Sequence, residues 1–289
     1  MKSVNEGKSG CYGKIPRLGD FITRSLGGAM VANWDEWLQD GISASRERLG
    51  DQWLDCYSVS PVWSFAAAAG SLDQSTWLGV MIPSVDRVGR YFPFSVLVNA
   101  GAISPLVAMY RWQPWFEAAQ DLALDSLGDD FDPDTLETRL AELPSHAGED
   151  RSQDEPLMPL SHAGRQYRLG RSVTTRDVLA GIANDALLEI YPSCSLWWTQ
   201  GSDRIAASLL LAQGLPPVRA FSALLDGNFA EVGWGYGGLM GSDEEPEYGH
   251  GQAFEDAASV SSEDDLSEQV VPEDGFTADP ATDLEDRFD

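Results

Sequence analysis

Three short apolar stretches in the first half of the chain decide the predicted fold: SPVWSFAAAAG (60–70), STWLGVMIPS (75–84) and FPFSVLVNAG (92–101). Each is rich in aromatic or branched side chains and is bounded by proline, glycine or serine, which is typical of buried strands. The connections between them are too short for crossover helices, so we expect antiparallel pairing. The centre of the protein is therefore predicted to be an antiparallel sheet.

Helical periodicity surrounds these strands. Apolar side chains spaced three and four apart predict a helix that ends near Gly50, with one face formed by Val31, Trp34, Trp37, Leu38 and Ile42. Residues 104–130 predict a further helix, which Pro114 either kinks or divides. Asp132 and Pro133 then suit the N-cap and the first position of another helix.

The last third of the predicted fold repeats this mixture. Residues 174–193 predict an amphipathic helix stopped by Pro192, with an apolar face of Val178, Leu179, Ile182, Leu187, Leu188 and Tyr191. Residues 194–200 and 204–214 predict two more strands, and 216–227 a short helix. The strands occur in clusters and do not alternate with helices. We therefore expect an α+β fold, a mostly antiparallel sheet of about five strands covered by five or six helices.

The domain organisation follows from composition. We expect one domain over residues 1–240, with an N-terminal part (10–143), a polar loop (144–165) and a C-terminal part (166–240). From residue 241 the chain has 17 Asp and Glu against the single basic residue Arg287, which is −16 of the net charge of −27. Residues 241–289 are too acidic and too poor in apolar groups to form a core, so we predict a disordered tail.

Charge and cysteine usage exclude several classes of protein. A net charge of −27 argues against nucleic-acid binding and against anionic membranes. The first ten residues lack the apolar run of a signal peptide, so we expect a cytoplasmic protein without membrane insertion. Three widely spaced cysteines, Cys11, Cys56 and Cys194, suggest neither a disulfide framework nor a zinc site.

No catalytic motif is complete in the sequence. A P-loop fails at both of its starting points, because Lys2 stands where the first glycine is needed before Gly7, and Ile15 follows the Gly13-Lys14 pair. The three histidines, His146, His162 and His250, lie in segments predicted to be loop or disordered, where a general base cannot be held in place. We predict no enzyme activity, no cofactor and no metal; the alternative is a hydrolase that uses Cys11 or Ser95.

Two polar loops stand out among the apolar strands, GKIPRLGDF (13–21) and PSVDRVGRYFP (83–93). They hold four of the 19 Lys and Arg residues: Lys14, Arg17, Arg87 and Arg90. In one interpretation the glycines and prolines only shape turns, while Asp20 and Asp86 make local hydrogen bonds or pair with the arginines. In the other, the loops meet and form a recognition surface. The sequence leaves both open.

These loops carry a family likeness. The pattern G-K-x-P-x-x-G-D-F at 13–21, the pattern W-D-x-W-L at 34–38 and the pattern P-S-x-D-x-x-G-R-x-F-P at 83–93 occur in order. Together they resemble the TagF family, also called ImpM, of type VI secretion-associated proteins. The likeness is strongest over residues 11–99 and extends more loosely to about residue 227.

This resemblance implies a non-catalytic, cytoplasmic regulator that represses the assembly or activity of a type VI secretion system after translation. Its expected partners are the forkhead-associated scaffold protein or components of the membrane complex and baseplate. A structural or assembly subunit of the apparatus is the alternative. The partner-binding residues are expected within the two loops: Lys14, Pro16, Gly19, Asp20, Phe21, Asp86, Arg87, Gly89, Arg90 and Tyr91.

Overall fold

The fold is built on one sheet. The computed structural model describes residues 7–145, 169–170 and 174–235. Its strands are β1 (Ser9–Gly13), β2 (Ile22–Arg24), β3 (Trp63–Ala67), β4 (Thr76–Ile82), β5 (Phe94–Gly101), β6 (Cys194–Thr199) and β7 (Ser208–Gln213). Among these described residues the seven strands pair antiparallel in the order β2-β1-β5-β4-β3-β6-β7. The predicted α+β class is confirmed.

The strand count differs from the prediction because the sequence predicts no strand on either side of the first polar loop, where β1 and β2 lie. The buried strand β1, of sequence SGCYG, consists mostly of small residues and lies between β2 and β5. With Tyr12 as its one aromatic residue and no branched residue, it has little of the composition by which strands are recognised in sequence. Strand β2 has only 3 residues, too few to show alternation. The first polar loop is thus the connection of a hairpin, with a strand on each side.

The helices, as described, are α1 (Gly28–Leu49), α2 (Trp53–Ser58), α3 (Pro105–Arg111), α4 (Gln113–Asp125), α5 (Leu136–Glu142), α6 (Thr175–Ile190) and α7 (Ala223–Asp226). Helix α1 ends before Gly50 as predicted. The region around Pro114 is divided into α3 and α4, because proline opens the first turn of α4. Asp132 accepts a hydrogen bond from the Asp134 amide at 3.0 Å, so it caps the turn that leads into α5.

Two apolar cores cover the two faces of the sheet. On one face α1, α2 and α7 pack around the fully buried Trp34, Trp63 and Trp197. On the other face α3, α4 and α5 pack around Trp115 and Phe116. The sheet is therefore a middle layer between two helical layers, which is why strands β3 and β4 are buried along their whole length.

The segment that follows β7 packs against α1 and forms hydrogen bonds with side chains of α1 and β3. The indole N–H of Trp37 donates to the carbonyl of Pro216 at 2.8 Å, and that of Trp63 donates to the carbonyl of Leu224 at 2.9 Å. Phe221 packs so closely on Gly41 that a Cβ there would lie 2.3 Å from its ring. The C-terminal third of the described chain is therefore part of the same folded unit as α1.

Helix α6 forms where it is predicted, but its apolar face is only partly buried. Leu179 is 61% exposed, Tyr191 is also exposed, and only Asn184 is fully buried. The rest of the predicted apolar face, Val178, Ile182, Leu187 and Leu188, is half-buried, and α6 lies mainly against α3. The sequence pattern shows an amphipathic helix, but it carries no information about which partner covers the apolar face.

The carboxylate of Asp177 in α6 forms hydrogen bonds with side chains of α3. Asp177 Oδ1 accepts hydrogen bonds from the Tyr110 hydroxyl at 2.5 Å and from Arg111 Nε at 2.7 Å. Asp177 also forms a capping box with Thr174 at the start of α6. These donors hold the pKa of Asp177 well below its usual range, although burial alone acts in the opposite direction. Burial and the bond to Asp177 together raise the pKa of Tyr110 to about 12.

Most of the predicted domain boundaries lie outside the described residues. The acidic tail at 241–289 and most of the loop at 144–165 lie outside the described residues. The proposed division of the chain therefore stays a prediction. No helix in the described part has the length and apolarity needed to span a bilayer.

Candidate functional site

The two polar loops meet beside the β1–β2 hairpin. The first loop is residues 13–21 and the second is residues 83–93; together we call them the loop pair. The backbone N–H of Arg87 donates to the carbonyl of Leu18 at 3.0 Å. The guanidinium of Arg90 donates to the carbonyl of Gly19. Main-chain and side-chain bonds thus join segments that are far apart in sequence.

A buried carboxylate lies at the centre of the loop pair. Asp86 Oδ2 is 3.0 Å from the ammonium of Lys14 and 2.6 Å from Nε of Arg90. Its Oδ1 accepts the backbone N–H groups of Val88 at 3.0 Å and of Arg90 at 2.9 Å. The side chain of Asp86 is 0% exposed and that of Lys14 is 6% exposed. We call Lys14, Asp86 and Arg90 the Asp86 junction.

The junction is ionised. Burial alone would raise the pKa of Asp86, because a charge is costly where water is excluded. The Arg90 amide, the Lys14 ammonium and the Arg90 guanidinium overcome this and hold that pKa well below its usual range. The carboxylate in turn raises the pKa of Arg90. Two cations therefore share one buried anion, and Arg90 also lies 3.6 Å from the exposed carboxylate of Asp20.

Two glycines of the motifs are required by the backbone. Gly13 has a φ of 133°, and a Cβ there would lie 2.0 Å from the carbonyl oxygen of Pro93. The two loops can approach each other only because this side chain is missing. Gly89 has a φ of 84° in the turn that closes on Asp86, where its N–H donates to the Asp86 carbonyl at 2.9 Å. The backbone therefore requires the first glycine of the first motif and the glycine of the second motif.

Aromatic rings support the first loop. Phe21 stacks on Tyr12 with a centroid separation of 5.7 Å and meets Phe92 edge-on at 4.8 Å. The ammonium of Lys14 lies 4.8 Å from the centre of the Phe21 ring, a cation–π contact. Despite these contacts Phe21 is 47% exposed. An apolar ring is therefore held at the surface directly beside buried charge.

The tryptophan motif of α1 is connected to the same region. The Tyr12 hydroxyl donates to Asp35 Oδ1 at 2.5 Å, and Trp34 Nε1 donates to Ser95 Oγ at 3.2 Å. Burial and the bond to Asp35 raise the pKa of Tyr12. Since Tyr12 and Ser95 belong to neighbouring strands β1 and β5, the motif at 34–38 orients α1 on the strands that carry the loop pair.

The predicted site residues divide into an inner and an outer group. Lys14 and Asp86 are buried, and Pro16, Gly19 and Tyr91 are half-buried. Tyr91 packs edge-on against Trp53 and Tyr57. The exposed members are Asp20, Phe21, Arg87, Gly89 and Arg90. A partner can therefore contact the exposed outer group, while the inner group holds the outer residues in position.

The exposed surface of the loop pair includes two residues that were not among the predicted ones, Arg17 and Val88. Together with Phe21, Arg87 and Arg90 they form what we call the arginine patch. Within the described residues neither Arg17 nor Arg87 has an ion pair or a side-chain hydrogen bond. The sequence shows the local excess of arginine, but not which of these guanidinium groups face solvent without a partner.

The candidate nucleophiles lie inside the fold. Burial raises the pKa of the Cys11 thiol to about 12. Ser95 is fully buried, and its hydroxyl oxygen accepts the Trp34 indole N–H. His146, His162 and His250 all lie outside the described residues. In the described part, no three His, Cys, Asp or Glu side chains are placed to hold a metal ion.

Comparison with known proteins gives a consistent result. The sequence model for the TagF N-terminal domain, described as type VI secretion system-associated, matches residues 10–143. The crystal structure of PA0076 from Pseudomonas aeruginosa PAO1, at 2.05 Å resolution, is similar with a TM-score of 0.61 and 37% sequence identity. The match covers 76% of this chain and 94% of that one. A comparison with curated protein sequences finds no significant match.

The chain belongs to the TagF family of type VI secretion system-associated proteins. The resemblance inferred from the three motifs is therefore confirmed. The matched range of 10–143 contains both members of the loop pair, but it ends before β6 and β7, which belong to the same sheet.

Proposed function

We propose that this protein is a non-catalytic, cytoplasmic regulator that represses the assembly or activity of a type VI secretion system after translation, by binding one of its components. The proposed partner is the forkhead-associated scaffold protein or a component of the membrane complex or baseplate. Membership of a family associated with type VI secretion supports the assignment to this secretion system. The arginine patch supports protein binding as the mode of action.

The observation that carries the proposal is a positive, partly apolar surface on a very acidic protein. The net charge is −27, yet the loop pair exposes Arg17, Arg87, Arg90 and the ring of Phe21 beside a single exposed acid, Asp20, which pairs with Arg90. Arginine and aromatic side chains are enriched where proteins bind each other. The Asp86 junction fixes the backbone beneath them, so little order has to be gained on binding. The surface therefore suits an acidic region of another protein.

Charge reversal at one exposed arginine tests the docking surface. Arg87→Glu is expected to weaken binding to the purified secretion component at least about tenfold, because it places a like charge against an acidic partner. The matched control is Arg176→Glu, an exposed arginine of α6 without an ion pair among the described residues. Binding is measured by titration calorimetry, and circular dichroism checks the fold. The wild-type affinity should also fall with salt.

Equal affinity of Arg87→Glu and wild type for every component that binds would refute this surface as the docking site. The regulatory role has its own test in cells. A repressor predicts that deletion of the gene increases secretion and that overproduction silences it. A structural subunit predicts that deletion abolishes secretion. No change in secretion in either direction contradicts both roles.

A further inference from the structure

The two edges of the sheet are built differently. Strand β2, at one edge, has 3 residues, of which Thr23 and Arg24 are exposed. A short strand with an exposed charge is a usual way to prevent pairing with another chain. Strand β7, at the other edge, has the sequence SLLLAQ, without charge, proline or glycine. Leu209 is 57% and Leu211 is 38% exposed. Within the described part of the chain, this edge has none of the features that prevent association.

The backbone N–H and C=O groups of β7 that point away from β6 can accept a further strand. The amide of Gly214 donates to the carbonyl of Ser193 at 2.9 Å, which fixes the phase of the β6–β7 ladder. Because bonded pairs alternate in an antiparallel ladder, the N–H and C=O groups of Leu209, Leu211 and Gln213 point away from β6. No described residue bonds to these outward groups. They form a template for one further strand.

The electrostatics around this strand also permit association. Residues 205–225 contain no Asp or Glu, in a chain that has 46 of them. The strand and the segment after it therefore add no like-charge repulsion of their own where β7 meets β7. An uncharged strand also provides nothing that would select a charged partner over another copy of itself.

We propose that β7 pairs antiparallel with β7 of a second copy of this chain, across a two-fold axis. The register that centres on Leu210 places Leu209 opposite Leu211 of the second copy, and the reverse. Each exposed leucine then faces a leucine, and the outward backbone groups of both find partners. This interface is self-complementary, as a two-fold dimer requires, and it joins the two sheets into one.

The contact can extend beyond the strand. A cleft of about 210 Å³ lies along β7 and is lined among others by Leu211, Gln213, Pro217, Arg219 and Trp234. The indole N–H of Trp234 is buried and has no acceptor among the described residues. A single strand pair is nevertheless smaller than a standard interface of roughly 1,600 Å². The dimer is therefore weak and dependent on concentration.

Sedimentation velocity of the full chain across a wide range of concentration tests the proposal. Wild type is expected to shift from monomer to dimer as concentration rises. Leu209→Lys places two lysines in the interface and is expected to raise the dissociation constant at least about tenfold. The control is Leu179→Lys, an equally exposed leucine on α6, which should leave the dissociation constant unchanged.

Hydrogen exchange on wild type gives a second measurement that needs no variant. The amides of Leu209 and Leu211 point outward and should exchange more slowly in the concentrated sample. The amide of Leu210 points toward β6 and should be protected at all concentrations. A monomer at every concentration overturns the proposal, as does a dimer that Leu209→Lys does not weaken. Protection of Leu209 in a monomer would show that another part of the chain covers β7, which also overturns it. No secretion component is needed, so the result is independent of the proposed function.

Discussion

Asp86 and Asp177 make similar contacts in two regions of the molecule, but the two carboxylates differ in burial. Each carboxylate accepts hydrogen bonds from an arginine Nε, at 2.6 Å for Asp86 and 2.7 Å for Asp177. Each also binds local donors and joins segments that are distant in sequence. The pKa of each is held well below its usual range. The difference is one of degree in burial, since the side chains of Asp86 and Lys14 are 0% and 6% exposed, while those of Asp177 and Arg111 are 11% and 21% exposed.

We expect burial, and not the number of hydrogen bonds, to decide how much each ion pair contributes to the free energy of unfolding. If Asp86 is removed, the buried ammonium of Lys14 is left without its anion and away from water, which is costly. If Asp177 is removed, Arg111 can still reach solvent. We therefore expect the loop pair to depend on its carboxylate far more than the α3–α6 contact depends on Asp177.

The largest effect is expected for Asp86→Asn. Loss of one partner from a buried ion pair costs roughly 3–5 kcal/mol of the free energy of unfolding. Urea denaturation measures this, and the control is Asp20→Asn, which removes a fully exposed partner of Arg90 in the same loop pair. The control should change stability by less than about 1 kcal/mol. Equal effects of the two substitutions would break the comparison.

A smaller effect is expected for Asp177→Asn. The change removes the capping box and the anion that faces Tyr110 and Arg111. We expect a loss of about 1–2 kcal/mol, with faster amide exchange confined to α6. Asp185→Asn in the same helix is the control. A loss as large as that of Asp86→Asn would show that burial is not what separates the two sites.

The smallest expected effect is on how steeply the free energy of unfolding falls at acid pH. Because both folded pKa values lie below the ordinary 3.8, the two carboxylates stabilise the fold fully above about pH 4. This contribution is lost as the pH falls from there towards the folded values. Urea denaturation at decreasing pH should therefore give a shallower decline for Asp86→Asn and Asp177→Asn than for wild type. Parallel curves for all three would contradict the assigned pKa directions.

The central strands and the loop pair were predictable because their signals are local. Proline, glycine and branched residues delimit β3, β4 and β5 within a few positions. The glycines of the loop pair also mark turns, and Asp20 and Asp86 both contact Arg90, as one interpretation of the sequence expected. Lys14 reaches Asp86 only through the packing of β1 against β5, which no local pattern encodes.

Other features were not predictable because they depend on neighbours distant in sequence. The apolar face of α6 predicted burial, but α3 covers only part of it. The predicted strand at 204–214 gave no indication that β7 would lie at an edge, since edge position is a property of the sheet order. The pairing of Asp177 with Tyr110 and Arg111 likewise depends on where α6 is placed.

The pairing of β3 with β6 has a consequence for biosynthesis. Strands β1 to β5 are complete at Gly101, whereas β6 begins at Cys194. Throughout the intervening translation the nascent chain presents β3, an apolar strand that is buried on both faces in the finished fold, as an open edge. Such an edge is where growing chains on neighbouring ribosomes aggregate. Chaperone occupancy on this protein should therefore be highest in that interval and should fall once residues 194–199 have emerged.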